Sequence, residues 1–145
     1  MKTALACDHG GYLLKNEIIS KLKETGFEVE DFGCYSTESV DYPDYAFPAA
    51  EAVAAGKADR CILICTTGIG VSICANKVKG IRCALCTSEF QAEMTRRHNN
   101  ANALAMGAKT VSAETAWNIA KKFLETEFEG GRHERRVQKI MDHEG

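Results

Sequence analysis

The sequence predicts an α/β fold: a single domain in three layers (α/β/α), a five-stranded parallel sheet between helices, with an extra C-terminal helix. Two observations predict it. Short apolar runs alternate five times with segments of helical periodicity, and such alternation builds a parallel sheet covered on both faces. The run "CILIC" is apolar throughout, as a central strand buried on both sides should be. With 145 residues, two prolines and no Ser/Gly-rich linker, residues 1–145 read as one unit.

The elements follow in order. "TALAC" is the first strand and leads into Asp8, His9, Gly10 and Gly11. A helix comes next, with Leu14, Ile18 and Leu22 on one face and Lys15, Glu17, Lys21 and Lys23 elsewhere. Gly26 stops it in the place of a C-terminal cap glycine. "FEVEDFG" is the second strand. "SVDYPDY" is a turn, and Asp44 is the expected N-cap of an alanine-rich helix running to Gly56. "CILIC", the third strand, ends in the loop "CTTGIG" and a short helix through Ala75.

"IRCALC" is the fourth strand, and Ser88 with Gln91 spells a capping box for a helix reaching Arg97. "ALAMG" is the fifth. Ser112 opens a helix carrying Ala116, Ala120, Phe123 and Leu124. The tail "GGRHERRVQKIMDHEG" adds a helix that the core does not require. Its apolar side, Val137, Ile140 and Met141, suits docking against the body or a partner subunit. The whole is Rossmann-like, without repeats or low-complexity segments.

Composition excludes several classes. A net charge of −2 gives no reason to expect nucleic acid or an anionic membrane as partner. No apolar run approaches a membrane span, and Asp8 and His9 interrupt any signal-like segment, so the expected setting is cytoplasmic. Seven cysteines do not spell a disulfide framework here. Cys83 and Cys86 form a C-x-x-C, but on a strand i and i+3 face opposite ways and cannot easily share a metal. Most of the cysteines read as small buried hydrophobes.

In sheets of this kind ligands bind beyond the carboxyl ends of the strands, near the switch in strand order. Asp8 and His9 end strand one, and Cys65 to Gly70 ends strand three. The stretch "RRHNNANA" precedes strand five, and His98 is expected at the same sheet edge as Cys65 or across a subunit interface from it. Gly68 and Gly70 permit close backbone approach, and the following helix offers unpaired N–H groups, which together make an anion site. It is not a P-loop, since no G-K-[ST] follows, and a bare Gly-x-Gly is a poor dinucleotide fingerprint.

Cys65 sharpens the reading, because a thiolate there is stabilised by the helix dipole and loop amides. A thiol phosphatase needs an arginine six positions on, where this chain has Val71. A phosphocysteine carrier would not need the histidine and arginine clusters. A general base moving a proton on carbon, with amides holding an enediolate oxygen, fits the remaining polar residues. Arg132 and Arg136, spaced i, i+4, can grip one phosphate. Singly they would read as a solvated basic face, and His98 as a cation at a helix C-terminus.

"CDHGG", "SVDYPDYA", "CTTGIGVSICANK", "HNNANALAMG" and "EGGRHERRV", in order along nearly the whole chain, resemble ribose-5-phosphate isomerase type B. The wider family includes galactose- and allose-6-phosphate isomerases. The resemblance implies an aldose–ketose isomerase of carbohydrate metabolism, working through a cis-enediolate without metal or organic cofactor. It implies that Cys65 is the base; some members use a carboxylate at the position of Val71. It implies that His98 opens the sugar ring with help from Thr67, and that the loop residues Gly68, Ile69 and Gly70 contact substrate. Asp8 matches a contact near the ring oxygen, His9 one facing the phosphate, Asn99 a substrate contact, and Arg132 and Arg136 a phosphate clamp. Homodimers, often paired into tetramers, with sites built from two chains, are also implied.

Two departures stand out. The family loop usually reads C-G-T-G, and Thr66 replaces its first glycine. Lys109 stands where a third phosphate-binding arginine is common, keeping the charge but losing the bidentate fork. Either change could accompany a six-carbon sugar phosphate. The rival classes are a phosphoryl carrier and a non-catalytic sugar-phosphate binding protein.

Overall fold

The structure, a computed structural model, describes residues 1–145. Five strands, β1 (Lys2–Cys7), β2 (Glu28–Asp31), β3 (Arg60–Cys65), β4 (Cys83–Leu85) and β5 (Ala103–Gly107), form one sheet in the order β2-β1-β3-β5-β4. All pairings are parallel. The order reverses between β1 and β3, so the crevice above that pair is the switch point. Six helices complete the chain: α1 (Tyr12–Glu24), α2 (Pro43–Ala54), α3 (Ile69–Asn76), α4 (Glu89–Asn99), α5 (Ala113–Glu125) and α6 (Arg132–Glu144). None is long and apolar enough to cross a membrane.

The two faces of the sheet are built differently, because side chains alternate along each strand. Leu5, Ile62, Ile64, Leu104 and Met106 pack with Leu14, Ile18 and Leu22 of α1 and Ile119 and Phe123 of α5. On the other face Ala4, Ala6, Cys61, Cys65, Ala103 and Ala105 meet Ala46, Ala49 and Ala50 of α2 and Val71, Cys74 and Ala75 of α3. Small residues let α2 and α3 lie close to the strands. Cys65 belongs to this tighter layer.

Local signals explain most boundaries. Gly26 takes a φ of +89° and closes α1 with bonds from Gly26 N–H to the Lys23 carbonyl and from Phe27 N–H to the Leu22 carbonyl, a Schellman cap. Ser88 and Ser112 accept from Gln91 N–H and Thr115 N–H at the starts of α4 and α5. The capping box is only half formed: the Gln91 side chain accepts from Thr87 N–H at 2.6 Å, one residue earlier than the expected Ser88.

The expected N-cap Asp44 is corrected. Tyr42 holds the N-cap position and Pro43 opens α2, leaving Asp44 in the first turn. Proline at the first helical position has its φ preset and no N–H to satisfy, so it moves the start forward. Lys15, expected on the polar side of α1, is 0% exposed. Its Nζ donates to Asp31 Oδ1 at 2.6 Å and to the Cys34 carbonyl at 2.7 Å, between the rings of Tyr12 and Tyr35. Such partners are what let an ammonium be buried.

All seven cysteines are free, and six are buried. Cys83 packs on the α2/α3 layer and Cys86 on the α1/α5 layer, as opposite faces of a strand require. Burial pushes the Cys61 and Cys86 thiols up to about 12 and raises Cys83 as well.

Candidate active site

At the carboxyl edge, β1 delivers Asp8, which is buried and accepts from Gly10 N–H at 2.9 Å. This bond caps the single 3-10 turn His9–Gly11. His9 Nδ1 accepts from Val40 N–H at 3.2 Å, which leaves Nε2 to carry the proton of the neutral ring. Across the crevice β3 delivers Cys65, 5% exposed, with its Sγ accepting from Gly68 N–H at 3.1 Å. Thr67 Oγ1 accepts from Ile69 N–H at 3.2 Å.

The loop geometry dictates its glycines. Gly68 has a φ of +79°, and a Cβ on it would stand 2.7 Å from the Met106 carbonyl carbon. A Cβ on Gly70 would stand 2.7 Å from the ring of Tyr42, so Tyr42 walls the start of α3. A Cβ on Gly10 would stand 2.2 Å from Thr66 Oγ1. Beyond β5 the chain continues beside the loop, with Ala108 N–H on the Cys65 carbonyl and Lys109 N–H on the Thr66 carbonyl. Lys109 and His9 line one cleft of about 350 Å³ with Leu13, Ala108 and Val111.

His98 and Asn99 lie elsewhere. They form the last turn of α4, just before β5 begins, whereas Cys65 pairs with Gly107 at the end of that strand. In a parallel sheet the start of one strand lies at the opposite edge from the end of its neighbour. At about 3.3 Å per residue the two edges of β5 are roughly 13 Å apart. The expectation that His98 shares the edge of Cys65 within one chain is therefore corrected.

The turn that presents His98 and Asn99 is firmly held. Arg82 donates to the carbonyls of Asn99 and Asn100, and Arg96 to Asn100 Oδ1 and the Ala101 carbonyl. Burial first, then Arg60 and Arg82, lower Arg96 to about 10.

Helix α6 packs beside α4. The His133 ring stacks on that of His98 with centroids 4.2 Å apart and planes 11° apart, and Arg132 and Arg136 are exposed next to it. His133, Glu129 and Tyr42 are neighbours of the site to which the sequence assigns no role, although all three lie inside the quoted motifs. His98, Glu129 and His133 place ligand atoms within 4.8 Å of one another. The two imidazole planes are nearly parallel, however, and lone pairs lying in parallel planes cannot converge on one ion.

The chain thus gathers Asp8, His9, Cys65, Thr67, Gly68, Ile69, Gly70 and Lys109 at one edge. His98, Asn99, Arg132 and Arg136 gather at the other. The first group offers a sulfur with an amide donor, a carboxylate, an imidazole and a lysine ammonium. The second offers an imidazole and two guanidinium groups.

An α/β domain with a thiol and a glycine loop at its switch point, and a second cationic cluster on its far edge, defines a small-anion enzyme class. The particular family follows from comparison. Residues 3–140 match the family model described as Ribose/Galactose Isomerase, and the chain belongs to that family. It is 48% identical over 139 residues to ribose-5-phosphate isomerase B of Escherichia coli, covering 96% of this chain and 93% of that protein. The structure superposes with a TM-score of 0.98 on ribose-5-phosphate isomerase B of Clostridium thermocellum, at 53% identity, covering 99% and 97% of the two chains. It matches ribose-5-phosphate isomerase B of Mycoplasma genitalium with bound ribulose-5-phosphate at 0.94 and 43% identity, covering 99% and 95%.

Proposed function

We propose that this protein interconverts ribose 5-phosphate and ribulose 5-phosphate in the cytoplasm, as a homodimer whose two sites each draw on both chains. The observation that carries the reading is the Gly68 N–H on Cys65 Sγ at the switch crevice, in a chain of this family. A second copy supplies His98, Asn99, Arg132 and Arg136, which the fold sets on the edge away from Cys65. Exposed Ile69 and Ile73 on α3 and Ile140 on α6 suit such an association.

In the proposed mechanism Arg132 and Arg136 of the second copy, with His9 and Lys109, hold the phosphate. His98 gives a proton to the ring oxygen as its bond to C1 breaks, and the C1 hydroxyl proton passes to solvent, giving the open aldose. Asp8 orients the sugar near the ring oxygen, and Asn99 steadies it. Cys65 as thiolate takes the C2 proton while the C1 carbonyl oxygen gains negative charge against the loop amides. A proton passes from the C2 hydroxyl to O1, and the thiol returns its proton to C1, leaving the ketone at C2.

The test is isomerisation of ribose 5-phosphate in deuterated water, with deuterium appearing on the transferred-proton carbon. Turnover compared with allose 6-phosphate and galactose 6-phosphate fixes the sugar. A protein that gains stable phosphate from a phospho-donor, or binds the sugar without exchange, would contradict the reading.

A further inference from the structure

We propose that His133 is a positioning residue for His98: it supplies a flat, anchored ring face that fixes the His98 imidazole in its working orientation. The inference rests on the reading of His98 as the ring-opening residue, and it assigns His133 no contact with the sugar.

Of the two stacked rings, His133 is the anchored one. It is 8% exposed, against a half-buried His98 at a helix end. Its Nε2 lies 3.5 Å from Glu129 Oε1, and its backbone N–H donates to the Gly130 carbonyl. Glu129 is tied in turn to the helix that carries His98, through its N–H on the Arg97 carbonyl and its Oε2 at 3.3 Å from Arg97 Nη1. The support and the supported ring therefore share one frame. A ring at a helix terminus otherwise has free rotamers, and proton delivery to a ring oxygen needs a fixed direction.

The charges around His133 suit the role. It faces His98 and, through Glu129, Arg97 from α4, Glu129 from the preceding loop, and Arg132 and Arg136 from its own helix. Burial, then His98, Arg132 and Arg136, hold its pKa below the ordinary histidine value against the opposing pull of Glu129. The balance of these neighbours favours the neutral His133 ring. A neutral π face favours an imidazolium stacked on it, whereas a second imidazolium would repel it.

The experiment compares His133→Leu, which keeps bulk without a π face, His133→Phe, which keeps a neutral flat ring, and His98→Asn. Initial rates are measured from ribose 5-phosphate and from ribulose 5-phosphate. His133→Leu is expected to lower kcat from the cyclic aldose about tenfold or more, with KM little changed and the ketose direction less affected. His133→Phe recovers most of that loss and sustains turnover further into acid, because no cation can form beneath His98. The His98 Hε1 resonance reports the stack apart from activity: its ring-current shift survives in the Phe variant and collapses in the Leu variant. Equal turnover of the Leu variant and wild type, with His98→Asn impaired, overturns the positioning role alone. Equal loss in both directions for His98→Asn overturns the ring-opening reading itself.

Discussion

The backbone N–H of Gly68 points at Sγ of Cys65 from 3.1 Å. Gly68 can turn its amide inward because it adopts a left-handed φ that a side chain would resist. The amide holds the sulfur in place at the crevice, and Val71, further along the chain, is buried and apolar and cannot act as a base. Cys65→Ala is expected to lower kcat about 10²–10⁴-fold while substrate still protects the protein against thermal unfolding. A loss below tenfold would remove the base assignment.

The same environment predicts an order of alkylation. Burial pushes the Cys7, Cys61 and Cys86 thiols up to about 12 and raises Cys74 and Cys83, so little thiolate forms there near neutrality. Iodoacetamide followed by peptide mass mapping should modify Cys65 ahead of those five, and ribose 5-phosphate should slow it. Earlier labelling of Cys61 or Cys86 would contradict this account.

The separation of Cys65 from His98 across the sheet predicts subunit complementation. Cys65→Ala and His98→Asn chains are each expected to be nearly inactive. A mixed dimer places an intact Cys65 opposite an intact His98 in one of its two sites. Refolding equal amounts together should restore about a quarter of wild-type activity, the share expected of a random two-fold assembly. No recovery, with mixed dimers demonstrated by mass spectrometry, would mean that the sites are not shared.

Lys15 carries a stability prediction. Lys15 is buried but the Asp31 side chain is 35% exposed, so removing the lysine chiefly strands the buried Cys34 carbonyl, at a cost of about 1–3 kcal/mol. Lys15→Ala should lower the denaturation free energy by roughly that amount, and Lys15→Met by less, because it keeps the stem volume. Urea melts of both variants check it; an unchanged midpoint for Lys15→Ala would show that Asp31 and the Cys34 carbonyl find other partners.

Much of this was legible in the sequence because it is local. The "CILIC" run, Gly26, Ser88 and Ser112 each act within a few residues, and they mark β3, the end of α1 and the starts of α4 and α5. Strands β2 and β4, by contrast, are shorter than "FEVEDFG" and "IRCALC" suggest. What escaped depends on distant groups. Lys15 looks like a surface lysine on a helical wheel; only the fold brings Asp31, Tyr35 and the Cys34 carbonyl around it. His98 precedes β5, and strand direction, once fixed by parallel pairing, sends it to the far edge. Its stack with His133 joins residues 35 positions apart in the sequence, which no periodicity reveals.

The last prediction concerns Thr66, where this chain departs from the usual loop. Its Oγ1 lies so close to Gly10 that a Cβ there would meet it at 2.2 Å, and its carbonyl holds Lys109 N–H. The side chain therefore fills the gap between the Asp8 loop and the Cys65 loop, where the sugar is proposed to enter. Thr66→Gly opens that gap by the whole side chain, a Cβ with its methyl and hydroxyl. One carbon's worth of room changes discrimination by about 1–3 kcal/mol. The ratio of kcat/KM for allose 6-phosphate to that for ribose 5-phosphate should rise by about tenfold, chiefly through the six-carbon sugar. Gly10→Ala gives the opposite test: the new methyl must push Thr66 toward the crevice, so five-carbon turnover should fall, and adding Thr66→Gly should restore it. If both single variants keep the wild-type ratio, Thr66 packs against Gly10 without touching the sugar, and substrate preference has to be set elsewhere in the crevice.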